Sequence, residues 1–163
     1  MAHSITIEGN TKEERYRSLV PQIEALLEGE QDMVARMSNT AAAIHGAFGF
    51  LWTGFYRVVT APSGSELSVG PFQGPAACSR IAYGKGVCGT AWKEARTVVV
   101  PDVEEFPGHI RCSSMARSEI VVPVFSADGD VIAVLDIDSS ETGTFDATDA
   151  LYLEEICRRV SWK

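Results

Sequence analysis

The chain has 163 residues, 45% of them hydrophobic and 22% charged, which predicts one folded globular domain over residues 1–163. A formal net charge of −8 opposes binding to nucleic acid or to anionic membranes. Residues 1–20 are rich in charged side chains, and no apolar run is long enough to cross a membrane. We therefore expect a cytoplasmic protein without nucleic-acid or membrane partners.

The first part of the chain is predicted to contain two helices. Thr11-Lys-Glu-Glu14 has the pattern of a capping box, in which side chains bind the free backbone amides of a helix start. The apolar residues that follow have helical spacing: Leu19, Ile23, Leu26 and Leu27. Pro21 either kinks this helix or marks its first turn. Gly29 is expected to end it before a second amphipathic helix over about residues 32–45.

Most of the remaining chain is predicted to form strands. Residues 50–59 are aromatic and β-branched, and a turn at 61–65 leads to a second strand near 66–69. Further strands are predicted at 97–100, 120–125 and 131–137. Ala127-Asp-Gly-Asp130 is a hairpin signal between the last two. The chain has no internal repeat and no long linker, so these strands favour one antiparallel sheet.

A final helix is predicted after Asp146, whose side chain can cap its first turn. Its apolar stripe is expected to contain Leu151, Ile156 and Val160. Cys157 lies beside Ile156 and is expected to pack on the same helix. Helices at both ends of the chain around a central antiparallel sheet define an α+β fold.

Three cysteines lie among glycines and turns: Cys78, Cys88 and Cys112. Loops of this kind often carry functional residues. Four cysteines in a cytoplasmic chain indicate thiols or a transient redox pair rather than a permanent disulfide framework. The intervals of ten and twenty-four residues between the three do not match the short pairs of a structural zinc site. We therefore expect no metal ion and no cofactor.

Two of these cysteines have neighbours that bear on reactivity. Cys88 follows Gly84-Lys-Gly near the start of a short helix, where amide dipoles and Lys85 would favour the thiolate. His109 precedes Cys112 by three positions and either assists a thiolate or packs in a loop. The alternative for every cysteine is that it is a small buried apolar residue.

Acidic and aromatic residues provide a second set of candidates. Glu119, Asp136 and Asp138 suit a free amino acid, because a carboxylate can hold an ammonium group and a protonated carboxyl can donate to an oxygen. Asp136 and Asp138 share one face of a strand, where they either form a paired site or line a solvated face. Trp52 and Tyr56 either enclose a ligand or belong to the core of the sheet.

Five ordered motifs contain or flank these candidates: Gly70-Pro-Phe-Gln-Gly74, Gly84-Lys-Gly-Val-Cys-Gly-Thr-Ala91, Phe106-Pro-Gly-His-Ile-Arg-Cys112, Ser118-Glu-Ile-Val-Val-Pro123 and Val134-Leu-Asp-Ile-Asp-Ser139. With these motifs, the chain resembles free methionine-(R)-sulfoxide reductases over about residues 14–160. The resemblance implies a GAF-like domain. It also implies thiol-dependent reduction of free L-methionine (R)-sulfoxide through a cysteine sulfenic acid and an intramolecular disulfide. Such a reaction needs a nucleophile at sulfur and a proton source for the departing oxygen.

The resemblance also implies a role for each candidate residue. Cys112 is the leading nucleophile, Cys78 the leading resolving thiol and Cys88 an alternative or auxiliary partner. The implied substrate-binding residues are Trp52, Tyr56, Glu119, Asp136 and Asp138. Thioredoxin or a related dithiol protein is the implied reductant, and a homodimer is compatible with the resemblance.

Some features depart from the family pattern or leave other functions open. Ser113-Ser114 follows Cys112 where family members often have an acidic residue, and residues 61–65 look like a modest local extension. The main alternative is a noncatalytic GAF sensor that binds a small ligand. A cofactor-independent thiol peroxidase is a third hypothesis. Production of methionine from separate sulfoxide epimers distinguishes the reductase from both.

Overall fold

The computed structural model describes residues 4–161. Four α-helices in this range are α1 (Lys12–Leu27), α2 (Met33–Phe48), α3 (Gly86–Glu94) and α4 (Ala147–Val160). Six strands accompany them: β1 (Trp52–Ala61), β2 (Gly64–Gln73), β3 (Arg80–Ala82), β4 (Val98–Val100), β5 (Ser118–Phe125) and β6 (Val131–Ser139). A 3₁₀ turn covers Val103–Glu105. None of the helices in residues 4–161 combines the length and the apolar character that a membrane crossing requires.

The six strands form one sheet in the order β3-β2-β1-β6-β5-β4, and every neighbouring pair is antiparallel. β1 and β6 lie at the centre although they are far apart in sequence, so the sheet joins the two halves of the chain. With helices from both ends of the chain packed around it, the sheet confirms the predicted α+β fold.

The two faces of the sheet are covered differently. On one face, which we call the three-helix face, α1, α2 and α4 pack on strand residues that include Phe55, Leu135 and Ile137. On the other, the α3 face, α3 contributes Val87 and Ala91 to an apolar layer on the strands. The irregular chain segments before α3 and before β5 border the α3 face. This face is therefore where loop residues can meet side chains from the sheet.

The N-terminal helices follow the sequence prediction. Thr11 and Glu14 form the predicted capping box of α1, and Asp32 caps α2 through the Ala35 amide. Pro21 lies inside α1, which continues to Leu27. Its side chain is exposed, so water can reach the backbone carbonyl that loses its helical N–H partner.

The last helix corrects one predicted core position. Asp146 caps α4 as predicted, and Ile156 and Val160 are buried, but Leu151 is 59% exposed. Leu153 occupies the buried stripe instead, because positions separated by three or four residues share a helix face and Leu151 lies only two residues before it. Cys157 is buried in the same stripe as predicted.

The strands also differ from the prediction at their ends. β1 begins at Trp52 rather than at residue 50, and β2 extends over Gly64–Gln73 rather than 66–69. The β1–β2 turn is tight, since Ala61 pairs with Gly64. β3 was not predicted, because three residues are too few to show an alternating pattern. The longer β2 matters for the site, because Phe72 near its end packs against Trp52.

Candidate active site

The sheet register places the predicted polar residues side by side. Asp138 pairs with Trp52 of β1 on one side and with Glu119 of β5 on the other. Asp136 pairs with Gly54 and therefore lies on the same face two residues away. The sheet thus brings together residues from β1, β5 and β6 that are up to 86 positions apart in the sequence, the separation of Trp52 and Asp138.

The acidic residues are buried rather than solvated. Glu119 and Asp136 are each 6% exposed, and their side chains share a hydrogen bond, which requires a proton on one of them. Burial, and then the negative charge of Asp138, raises the pKa of Glu119 to about 8. Burial and Glu119 raise the pKa of Asp136 well above its ordinary value. The pair therefore holds a proton at neutral pH.

Cys88 lies beside this carboxyl pair. It is 3% exposed, and its thiol has a side-chain hydrogen bond to Asp136. Burial, and then the neighbouring carboxylates, raises the pKa of Cys88 well above its ordinary value. The prediction that the helix start and Lys85 favour a Cys88 thiolate is therefore wrong, because burial beside acids outweighs the dipole of α3.

The two predicted aromatic residues form part of the wall on the α3 face. The Trp52 ring stacks on Phe72 at 5.1 Å and on Tyr56 at 5.8 Å between ring centroids. Trp52 Nε1 donates a hydrogen bond to the Pro75 carbonyl over 3.0 Å. The Tyr56 hydroxyl donates one to the Cys78 carbonyl, also over 3.0 Å. These bonds fix the segment that carries Cys78 against the sheet.

Gly54 is a positioning residue that the sequence analysis missed. A Cβ atom at this position would lie 2.3 Å from Phe72 Cβ and 2.6 Å from Trp52 Cη2, distances that a side chain cannot occupy. The missing side chain lets the Trp52 ring lie across β1 toward β2. A lone glycine between aromatic strand residues was the available signal, because it often marks a close approach of this kind.

Cys78 and Cys112 are joined by a disulfide bond. The two residues come from different irregular segments, one before β3 and the other before β5. The Arg111 side chain beside Cys112 pairs with Glu104 at 2.6 Å. Cys88 and Cys157 are free thiols, so the structure pairs the two cysteines that the family resemblance links most directly.

Two small cavities adjoin the bridge. One has a volume of about 30 Å³ and is lined by residues that include Tyr56, Cys88, Cys112, Glu119, Asp136 and Asp138. The other, of about 20 Å³, shares Tyr56, Cys112, Asp136 and Asp138 and adds Trp52. All eight predicted site residues therefore lie in or beside this region, since Cys78 is bonded to Cys112. Each cavity has room for only one or two water molecules.

His109 lies at the edge of the acidic cluster. Its Nε2 atom is 3.4 Å from Glu119 Oε2, and its side chain is 10% exposed. Burial, and then the charge of Arg111, lowers the pKa of His109, so the ring is neutral at pH 7. It lines the larger cavity together with Lys85 and Ser113. These three residues belong to the surroundings of the predicted site, and the FPGHIRC motif was the sequence signal for His109.

Comparison with known proteins places this geometry in a family. The family described as GAF domain matches residues 28–161. GAF domain-containing protein A of Dictyostelium discoideum is 50% identical, over 97% of this chain and 98% of that protein. Free methionine-R-sulfoxide reductase of Saccharomyces cerevisiae is 41% identical, over 92% of this chain and 86% of that protein.

A solved structure gives the same result in three dimensions. Free methionine-R-sulfoxide reductase from Neisseria meningitidis, in complex with its substrate, superposes with a TM-score of 0.92 at 50% identity. The match covers 98% of this chain and 93% of that one. The chain belongs to the GAF domain family and, within it, to the free methionine-R-sulfoxide reductases.

Proposed function

We propose that this chain reduces free L-methionine (R)-sulfoxide to L-methionine with cysteine thiols. The observation that carries the proposal is the Cys78–Cys112 bridge beside a buried carboxyl pair that holds a proton. The reduced, dithiol form of this cysteine pair supplies the two electrons, and the carboxyl pair supplies a proton to the departing sulfoxide oxygen. The whole chain would act as one GAF domain in the cytoplasm.

The first half of the reaction uses Cys112 as the nucleophile. Its thiolate attacks the sulfoxide sulfur, and the oxygen takes a proton from the Glu119–Asp136 pair. The sulfur–oxygen bond of the substrate and the transient bond between its sulfur and Cys112 Sγ then break as the protonated oxygen transfers to Cys112, which becomes a sulfenic acid and releases methionine. Methionine sulfur is reduced and Cys112 sulfur is oxidised by the same two electrons. A carboxyl group with a pKa of about 8, as for Glu119, is well matched to proton donation near neutral pH.

The second half of the reaction returns the enzyme to its dithiol state. The Cys78 thiol attacks the Cys112 sulfenic acid, forms the disulfide and releases the oxygen as water. An external dithiol, which we propose to be thioredoxin or a related protein, then reduces the disulfide by exchange. Cys88 is the alternative resolving thiol and lines the same cavity.

The remaining site residues suit the rest of the substrate. Asp138, adjacent to the pair in the sheet register, is the proposed partner of the substrate ammonium group. Trp52 and Tyr56 are the proposed surface for the methyl sulfoxide end. A peptide-bound methionine has no free ammonium group at this position, so an acidic pocket of this kind favours the free amino acid.

Substrate entry requires the bridge to open. The cavities of about 30 and 20 Å³ are far smaller than an amino acid, and both are bordered by Cys112. We infer that reduction frees the irregular segment 106–117 and joins the two cavities into one pocket. The tight bonds of Trp52 and Tyr56 to the Cys78 segment keep the opposite wall in place.

The test is product formation from separate methionine sulfoxide epimers with a chemical dithiol. Catalytic production of methionine from the free R epimer supports the proposal. Saturable binding without methionine would instead indicate a noncatalytic GAF sensor, and peroxide consumption without methionine would indicate a thiol peroxidase.

The thiol roles are tested separately by rapid quench. Cys78→Ser is expected to give a normal first methionine but to slow repeated turnover. If recycling is nearly normal and mass analysis captures a Cys88–Cys112 bond, the resolving role belongs to Cys88. The matched control is Cys157→Ser, which replaces a buried thiol on the three-helix face and should leave both phases unchanged.

A further inference from the structure

One side-chain cluster on the α3 face has the composition of a metal site. Cys88 Sγ, a Glu119 carboxyl oxygen and an Asp136 carboxyl oxygen all lie within 4.8 Å of one another. All three residues are buried. We propose that Cys88, Glu119 and Asp136 form a binding site for a divalent transition-metal cation of the zinc class.

The donor set explains the choice of metal. A thiolate with two carboxylates favours a borderline-soft cation such as Zn²⁺ or Co²⁺ over Mg²⁺ or Ca²⁺, which prefer oxygen ligands alone. Ligands around tetrahedral zinc are roughly 3.3–3.6 Å apart for bonds of about 2.0–2.3 Å. The observed group needs to contract only modestly to reach this spacing.

His109 lies beside the cluster but outside the group of mutually close ligand atoms. Its Nε2 atom lies 3.4 Å from Glu119 Oε2, which is the ligand-to-ligand distance expected around tetrahedral zinc. A shift of the ring toward Asp136 would complete a sulfur, nitrogen and two-oxygen coordination shell. The sequence spacing of the cysteines argued against a zinc site formed from several of them, and this site uses only Cys88.

One unpaired polar atom points independently to a ligand at this position. Asp136 Oδ1 is buried and has no hydrogen-bond partner within residues 4–161. Asp136 lines the cavity of about 30 Å³, which has room for an ion but not for an amino acid. Because an unpaired buried polar group is costly, a ligand that satisfies Asp136 would be favoured.

Metal binding replaces protons. The cation displaces the Cys88 thiol proton and the proton of the carboxyl pair, which both leave to solvent, and no electron is transferred. If the proposed reductase reaction is correct, the bound cation would remove its proton donor and inhibit turnover. That consequence depends on the proposed function, whereas the binding does not.

The experiment uses Co²⁺ as a spectroscopic probe with the full-length protein in its disulfide form, confirmed by mass analysis. Only Cys88 and Cys157 are then free thiols, so a thiolate-to-cobalt charge-transfer band in the near ultraviolet reports on one of them. We expect the band in the wild type and its loss on addition of Zn²⁺. Cys88→Ser should abolish it, and Asp136→Asn should weaken Co²⁺ affinity at least about a hundredfold.

Cys157→Ser is the matched control, because it removes an equally buried thiol from the three-helix face, and it should keep the band. Circular dichroism verifies that each variant is folded, and Glu119→Gln serves as a second test if Asp136→Asn unfolds. Absence of the band in folded wild type, or its persistence in Cys88→Ser, overturns the metal site. Turnover is assayed separately, so failure of the reductase assay would leave the cobalt result intact.

Discussion

The two faces of the sheet bury different chemistry. The three-helix face packs aliphatic and aromatic side chains from α1, α2 and α4 on Phe55, Leu135 and Ile137. The α3 face buries Glu119 and Asp136 beside Cys88. Burial of apolar groups stabilises the fold, whereas burial of acids costs stability and shifts their pKa values. The three-helix face therefore stabilises the fold, and the α3 face holds ionisable groups with shifted pKa values.

The largest expected difference in turnover is between two serine substitutions, one on the α3 face and one on the three-helix face. Cys112→Ser should reduce single-turnover methionine production on the order of a thousandfold or more, because the attacking sulfur is lost. Cys157→Ser should change turnover by less than about twofold while lowering the free energy of unfolding by about 1–2 kcal/mol. Rapid quench and denaturant titration measure the two effects. Normal first turnover in Cys112→Ser would remove Cys112 from its proposed role.

Glu119→Gln tests the acidic character of the α3 face. Folding raises the pKa of Glu119 from 4.5 to about 8, so the folded state binds a proton more tightly than the unfolded state. This contribution to stability is fully present below pH 4.5 and is lost as the pH rises toward about 8. The wild-type free energy of unfolding should therefore fall by about 2–5 kcal/mol across this range, and Glu119→Gln should flatten the slope. Turnover should fall about a hundredfold.

The control for this pH experiment is Glu24→Gln. Glu24 is an acid on α1 with 65% of its side chain exposed, so its removal should leave both the pH slope and turnover unchanged. Asp136 and Asp138 also have raised pKa values and contribute slopes of the same sign, so a residual slope in Glu119→Gln is expected. An unchanged slope in Glu119→Gln would show that its carboxyl group is not held protonated by burial.

Tyr16→Phe examines Asp149, a buried acid that supports structure instead. Asp149, 1% exposed, accepts bonds from the Tyr16 hydroxyl and from Lys12 Nζ, each over 2.6 Å. Loss of the hydroxyl should lower the free energy of unfolding by about 1–3 kcal/mol, because a buried acceptor loses a donor. Turnover should be unchanged. A substantial loss of turnover in a folded variant would show that the two faces are coupled through the sheet.

Leu151→Ser is expected to have the smallest effect. Because Leu151 is 59% exposed, the free energy of unfolding should change by no more than about 0.5 kcal/mol. Leu153→Ala, two residues away and fully buried, should cost about 2–5 kcal/mol. Thermal or denaturant unfolding of both variants tests whether Leu153, and not Leu151, lies on the buried face of α4. Similar losses from both would restore Leu151 to the core.

Local patterns were sufficient to predict the regular parts of the fold. The Thr11 capping box, the Asp146 cap and the hairpin signal between the apolar runs of β5 and β6 depend on near neighbours in sequence, so they can be recognised before the chain is folded. Leu151 shows the limit of this approach, since an apolar residue does not by itself reveal which helix face is buried. β3 is short and depends on pairing with β2.

The candidate site depended more on tertiary structure. Sequence and family resemblance supplied the residues, but the contacts among Cys88, Glu119 and Asp136 arise from the register of β5 with β6 and from the packing of α3. The direction of the pKa shift of Cys88 was predicted wrongly, because a helix-start motif does not reveal that the thiol is buried. Gly54 was overlooked for a related reason: its role is to leave space for the Trp52 ring, two residues earlier in β1, and for Phe72 of β2.

The small cavity beside the disulfide has a kinetic consequence for the proposed reductase. With room for only one or two water molecules in about 30 Å³, this cavity is too small for methionine sulfoxide while the bridge is closed, so in the proposed cycle the sulfoxide and the dithiol react with different enzyme forms. The two substrates therefore never occupy one complex. Steady-state rates should follow a double-displacement law, with parallel lines in reciprocal plots when one substrate is varied at fixed levels of the other.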